Sequence, residues 1–115
     1  MSKEQQEIHG IENLPWAPVP GTPGIFEKIL NRDPHTGSVT RLLRFEQGIR
    51  TTQVLSHDFY EEIYVLEGTL IDLQQNLTLN AGYYGYRHPG MNHGPYYVQE
   101  RAITFEVRNY PNFSG

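Results

Sequence analysis

Apolar residues at every second position, in short runs that recur about every ten residues and end at Gly, Asn or Pro, most narrow what this chain can fold into. SVTRLLRFEQG (Ser38 to Gly48) places Val39, Leu43 and Phe45 on one face of a strand, and RAITFEVRNY sets Ile103, Phe105 and Val107 against Thr104, Glu106 and Arg108. IFEKIL, RTTQVLSH, EEIYVLEG, TLIDLQ and NLTLNAG read as further strands, and NRDPHTG as a turn-rich link. No long window carries a helical period. The pattern predicts an all-β sandwich or barrel, and 115 residues suit one domain with a single core.

Within EIYVL both faces are apolar, because Ile63 and Val65 point one way while Tyr64 and Leu66 point the other. One face is assigned to the barrel interior. The other is expected to meet a second layer or another subunit, which makes a homodimer the expected assembly.

Residues Met1 to Asn13 are polar and mixed in charge, and LPWAPVPGTPG (Leu14 to Gly24) carries four prolines. Such a segment cannot hold a helix and is expected to run extended. Residues 1–24 are therefore read as an arm and 25–115 as the barrel. Trp16 implies that the arm docks, either on its own barrel or on a neighbouring subunit.

Charge and composition remove several function classes. A formal net charge of −4, with nine Lys and Arg scattered along the chain, argues against nucleic acid as a partner. The absence of cysteine excludes disulfides, thiolate metal sites and cysteine nucleophiles. No signal-peptide core and no membrane-spanning apolar run is present, so a cytoplasmic protein is expected.

Five histidines remain, at positions 9, 35, 57, 88 and 93. Imidazole and carboxylate are the usual ligands of Zn, Fe, Mn and Ni where thiols are lacking. In HDFYEEIYVLEG the spacing His57-x3-Glu61 lets one residue end a strand and the other begin the next, so that both side chains reach one cavity. In HPGMNHGPYY the Pro89-Gly90 turn delivers His93 to the start of another strand, completing a two-histidine, one-carboxylate face. Read singly, His57 is a solvated turn residue and Glu61-Glu62 are charges that protect a strand edge.

Taken together, these segments resemble the paired motifs of the cupin superfamily, small RmlC-like jelly-roll barrels. The first motif reads G-x5-H-x-H-x3-4-E-x6-G and the second G-x5-P-x-G-x2-H-x3-N. His57-x3-Glu61-x6-Gly68 matches the back of the first and Pro89 to His93 resembles the back of the second, with the likeness covering Gly24 to Tyr110. The sequence resembles the zinc-binding cupin domain of certain anti-sigma factors and acetylacetone dioxygenase. The resemblance implies metal ligation by His57, Glu61 and His93. Two positions depart from it: Leu55 stands where the first histidine is expected, and Tyr97 where the closing asparagine is expected.

Gln53 shares a strand face with Leu55 and His57, so it is a candidate for an open coordination position or for holding a metal-bound water. Glu61 is preferred to Glu62 because it keeps the spacing to Gly68 and the face of Ile63 and Val65. Tyr84, Tyr86 and Arg87, among the tyrosines clustered around the second motif, are the candidate catalytic side chains, Arg87 as a guanidinium fork for a carboxylate or enolate oxygen. His88 is read as a turn residue, and His9 and His35 receive no role.

The resulting expectation is a small metal-dependent cupin enzyme acting on a diketone, keto acid or sugar-like acid, with dioxygenase, isomerase or lyase chemistry at an Fe, Zn, Mn or Ni ion. Two alternatives stand beside it. One is a non-catalytic, sensor-like cupin that binds a small molecule or metal; the other is a metal-free cupin isomerase.

Overall fold

The computed structural model describes residues 3–110, and every regular element in that range is a β-strand. In chain order these are β1 (Ala17–Pro18), β2 (Ile25–Arg32), β3 (Val39–Phe45), β4 (Tyr60–Asp72), β5 (Leu77–Asn80), β6 (Tyr84–Arg87) and β7 (Tyr96–Asn109). All pairings are antiparallel in the order β1-β2-β3-β7-β4-β5, with β6 added beside β4. Among the described residues no helix is long and apolar enough to cross a membrane.

Two long strands, β4 and β7, form the spine. EEIYVLEG and TLIDLQ, which read as separate strands, are one continuous strand with irregular register on either side of Gly68. Gly68 sits at φ +83°, and a Cβ there would overlap the backbone of Arg101 and Ala102. Only glycine allows β4 and β7 to approach this closely at the bend, and a bulge here strengthens the local twist. Beyond it Leu70, Val98 and Ala102 form an apolar cluster with Phe45, Ile49 and Leu79 packed against it.

The interior changes character along β7. Val98 and Ala102 are apolar and fully buried, whereas Thr104 and Glu106 farther along are equally hidden. The apolar set Ile103, Phe105 and Val107 lies on the outer face, only half-buried. On β4, Val65 is buried inside, while Tyr64 and Leu66 are exposed outside.

RTTQVLSH is not a regular strand. It makes only single-residue pairings, Arg50 with Tyr97 and Leu55 with His93. The facing segment cannot continue a ladder between those points, because Pro95 has no N–H to donate and Gly94 adopts φ +75°. For the same reason His93 precedes β7 instead of opening it.

The arm lies on its own barrel. β1 pairs with β2, an edge position where Pro18 costs no ladder hydrogen bond. Trp16 is stacked under Lys28 Nζ at 4.9 Å and the Arg44 guanidinium at 5.0 Å, and Lys28 Nζ also donates to Ile11 O at 3.1 Å. Nearer the N-terminus, Lys3 Nζ donates to Thr40 Oγ1 at 2.7 Å and Gln6 to the Leu30 carbonyl at 3.1 Å.

Candidate metal centre

His57, Glu61 and His93 offer ligand atoms that all lie within 4.8 Å of one another. Three features of the chain bring them together. β4 begins at Tyr60, three residues after His57, and its alternation turns Glu61 inward to 3 % exposure. The Pro89-Gly90 turn is tied to the first segment by Gly90 N–H donating to His57 O at 2.8 Å. Leu55 and His93 exchange both backbone hydrogen bonds, at 2.8 and 2.9 Å, which fixes His93 opposite the His57 segment.

The imidazoles of His57 and His93 have centroids 4.9 Å apart, and Phe59 stacks on His57 at 4.5 Å. His93 is buried, and its Nε2 has no hydrogen-bond partner. A buried nitrogen left without a partner is costly, on the order of 1–3 kcal/mol, and is unusual in a native interior. Its other nitrogen, Nδ1, lies 2.9 Å from Tyr96 Oη. With the proton on Nδ1 donated to that oxygen, Nε2 is left with a free lone pair. Burial, with the Arg87 charge nearby, pushes His93 down to about 4, and burial likewise lowers His57. Both imidazoles are therefore neutral at pH 7, the form that ligates metal.

Glu61 is held by a cross-strand row. Arg108 on β7 and Arg87 on β6 are its direct neighbours in the sheet. Arg108 Nε donates to Glu61 Oε2 at 3.1 Å, and Arg87 Nη1 to Oε1 at 3.4 Å. Arg87 Nη2 also donates to Tyr96 Oη at 2.9 Å, so one guanidinium braces both the carboxylate and the partner of His93. A carboxylate has about four lone-pair sites, so these bonds leave room for a metal on Glu61. The next row carries Arg41 bound through Nε and Nη2 to Glu106 Oε1 at 3.3 and 3.2 Å, with Arg41 Nη1 on Glu27 at 2.7 Å. Burial, then the charge of Glu61, raises the pKa of Glu106.

These groups line one side of a cavity of about 360 Å³ whose remaining wall is mostly apolar. Its lining includes Leu43, Ile63, Val65 and Leu55. Leu55 occupies a wall position and contributes no ligand atom. His57 also borders a shallow surface depression with Ser56, Asp58, Pro89 and Gly90.

The other sequence candidates fall in different places. Gln53 is exposed, does not line the cavity, and lies in the segment that forms no regular strand. In β6 Arg87 faces Glu61 and Tyr86 faces Glu62, so alternation sends Arg87 inward and Tyr84 and Tyr86 outward. Tyr84 borders the cavity, but its hydroxyl donates to Glu62 Oε1 at 2.6 Å, and Tyr86 lies against Tyr60 and His88. Tyr96 is the tyrosine that reaches the cluster, and burial pushes its phenol up to about 12. Its signal in the sequence is its position three residues after His93, within a segment whose kink hides the face it takes. Glu106 and Arg108, in the closing strand, likewise turn into the cavity.

The profile of the ChrR cupin-like domain family matches residues 4–111. No curated protein matches the chain. An RmlC-like cupin from Shewanella frigidimarina superposes with a TM-score of 0.74 at 18 % identity, over 98 % of this chain and 97 % of that one. An acetylacetone dioxygenase from Acinetobacter johnsonii gives 0.74 at 19 % identity, over 97 % and 81 %. The anti-sigma factor ChrR of Rhodobacter sphaeroides, in complex with SigE, gives 0.66 at 20 % identity, over 87 % and 52 %. At these identities the likeness establishes the fold.

Proposed function

The chain belongs to the ChrR cupin-like domain family, and from the cluster it carries we propose that the protein is a metal-dependent cupin acting on a small oxygenated organic molecule in its barrel. The observation that carries this reading is the buried, partnerless His93 Nε2 in a residue whose ligand atoms cluster with those of His57 and Glu61 within 4.8 Å. Two neutral imidazoles and one carboxylate suit Fe, Zn, Mn or Ni. When bound, such an ion supplies Lewis-acid polarisation of a carbonyl or enolate oxygen.

The chain's own residues have separable tasks. His57 and His93 supply neutral nitrogen, and Glu61 supplies charge. Arg87 orients both Glu61 and Tyr96, while Tyr96 Oη fixes the His93 tautomer. Once it accepts from Arg87 and His93, the Tyr96 hydroxyl still has its own proton, available to a ligand oxygen in the cavity. Proton transfer is assigned to Tyr96 in place of Tyr84 and Tyr86. The outer row of Tyr64, Leu66 and Tyr86, all exposed, supports pairing of two copies.

Metal analysis of protein produced with Fe, Mn, Zn and Ni supplied tests the reading: about one ion per chain is expected, with loss in His93→Ala while the fold persists. Full occupancy in that variant overturns the ligand set. A metal-free binding cupin is the second reading, favoured by each Glu61 oxygen already lying against one arginine. It is upheld if the wild-type chain takes up none of the four ions.

A further inference from the structure

The acidic and basic groups around the cavity are unevenly matched. Glu106 is held by Arg41 and by the Thr104 hydroxyl at 3.3 Å, Glu27 by Arg41, and Asp72 accepts from the N–H groups of Gln74 and Gln75. Each of these carboxylates already has its donors. At the His57 end, by contrast, the single carboxylate of Glu61 faces the two guanidiniums of Arg87 and Arg108.

Arg108 is the group left over. It reaches Glu61 through Nε alone, and its guanidinium carbon lies 4.6 Å from the centre of the Phe59 ring, a cation–π contact. Among the described residues neither terminal nitrogen of Arg108 is donated to an acceptor, and the residue lines the cavity. Neither nitrogen is sealed off, since among the described residues the only buried side-chain nitrogen or oxygen without a partner is His93 Nε2. What remains is the planar two-nitrogen edge that matches a carboxylate, held still beside the proposed metal ligands. In the neighbouring rows of the same sheet the lining turns apolar, with Leu43 on β3 and Ile63 and Val65 on β4.

We infer that the molecule this cavity accepts is an anion, a small organic acid with an apolar body, whose carboxylate docks on the free edge of Arg108 next to His57 and Glu61. This rests on the metal-site reading for the placement of the second oxygen of the ligand, and on Arg108 alone for its charge. An acid carrying an oxo or hydroxyl group beside its carboxylate places that oxygen toward the His57, Glu61 and His93 cluster. Its hydrocarbon part then covers the apolar wall. An uncharged diketone of the same size leaves the fork of Arg108 unpaired in a largely apolar cavity.

Calorimetric titration of α-ketoisocaproate and of its methyl ester into the same metal-analysed protein separates charge from shape. The acid is expected to bind roughly ten- to hundredfold more tightly than the ester, the range of one charge-assisted hydrogen bond. Arg108→Met should remove that preference, bringing acid and ester to equal affinity, and Arg108→Lys should restore part of it. Equal affinity for acid and ester in the wild-type protein overturns the inference, as does failure of the acid to bind, and neither result depends on any variant folding. If the protein holds metal but shows no preference for the acid, this inference falls and the metal reading stands. If it takes up no metal, the metal reading falls, and the same acid and ester comparison on the metal-free protein decides the role of Arg108.

Discussion

Replacing Glu61 by Gln tests two properties of one side chain at once. Glu61 is 3 % exposed and, among the described residues, is the only acceptor for both Arg108 Nε at 3.1 Å and Arg87 Nη1 at 3.4 Å. The amide of the glutamine keeps one oxygen for one arginine and turns an NH2 donor toward the other, so two guanidiniums are left sharing half the acceptor capacity. Breaking a fully buried ion pair by removing one partner costs about 3–5 kcal/mol. Arg87 and Arg108 keep 19 % and 23 % of their side-chain surface exposed and can hydrate in part, which lowers the expected cost to about 2 kcal/mol.

In metal-free protein, urea denaturation of Glu61→Gln should therefore show a lower midpoint with an unchanged slope. For a chain of this size the thermal midpoint should fall by about 8 °C. Adding metal at about 100 times its dissociation constant stabilises the wild type by about 2.7 kcal/mol, and the variant should gain almost none of this. A variant that melts with the wild type without metal would mean that the two arginines do not depend on Glu61. A variant that keeps the metal-induced shift would mean that the carboxylate is not a ligand.

Three further outcomes are expected. In chelator-treated protein, stability should decline as pH falls from 7 to 5: His93, at about 4 when folded and near 6.5 when unfolded, binds a proton more readily in the unfolded chain, so the loss runs between those two values, and a rise in the urea midpoint over that range would contradict it. Gly68→Ala should cost about 3 kcal/mol or more and sharply lower soluble yield, since φ is +83° and a Cβ overlaps Arg101 and Ala102, whereas Gly82→Ala, at φ +94° with nothing within 4 Å, should cost only about 1 kcal/mol in paired melting curves. Trp16→Ala should remove the platform under Lys28 and Arg44, speeding limited proteolysis of the arm while leaving metal uptake unchanged; an arm as protected as in the wild type would refute that docking.

The alternation of apolar residues carried the all-β reading because side-chain period and strand geometry are the same fact. Glu61 could be separated from Glu62 for that reason, through its register with Ile63 and Val65. The same rule was silent about direction in the closing strand. There Thr104, Glu106 and Arg108 turn inward and the apolar Ile103, Phe105 and Val107 turn outward, so hydrophobicity alone does not point to the interior of a barrel that holds a polar cavity. Gln53 lies on no regular strand, and its own neighbours do not reveal this, because the glycine and proline that interrupt the ladder belong to the facing segment at 94 and 95. Tyr84 and Tyr86 differ from Tyr96 only in which neighbour sets their register, and Arg87 opposite Glu61 is a long-range pairing that no local pattern contains.

The position of the cavity follows from the rows of the sheet. One row runs Arg41, Glu106, Ile63 and Gly85 across four strands, and the next runs Val39, Arg108, Glu61 and Arg87. A closed row of large side chains would fill the barrel at this level, but Gly85 contributes none, and the space a Cβ would enter has no atom within 4 Å. The polar groups of the first row are mutually satisfied, so Arg41 and Glu106 act as a rigid floor. Among the described residues, those of the second row are satisfied only on one side: Glu61 has lone pairs to spare and Arg108 has two terminal nitrogens to spare, while beside the row, in the segment before β7, His93 Nε2 has no partner. Leaving three such groups in an interior costs stability that the apolar cluster of Leu70, Val98 and Ala102 beyond the Gly68 bend must offset. A barrel selected for stability alone would pair them or replace them with apolar residues. Their shared direction, toward one cavity from three different strands or segments, is what a bound ion and an acidic ligand together would satisfy.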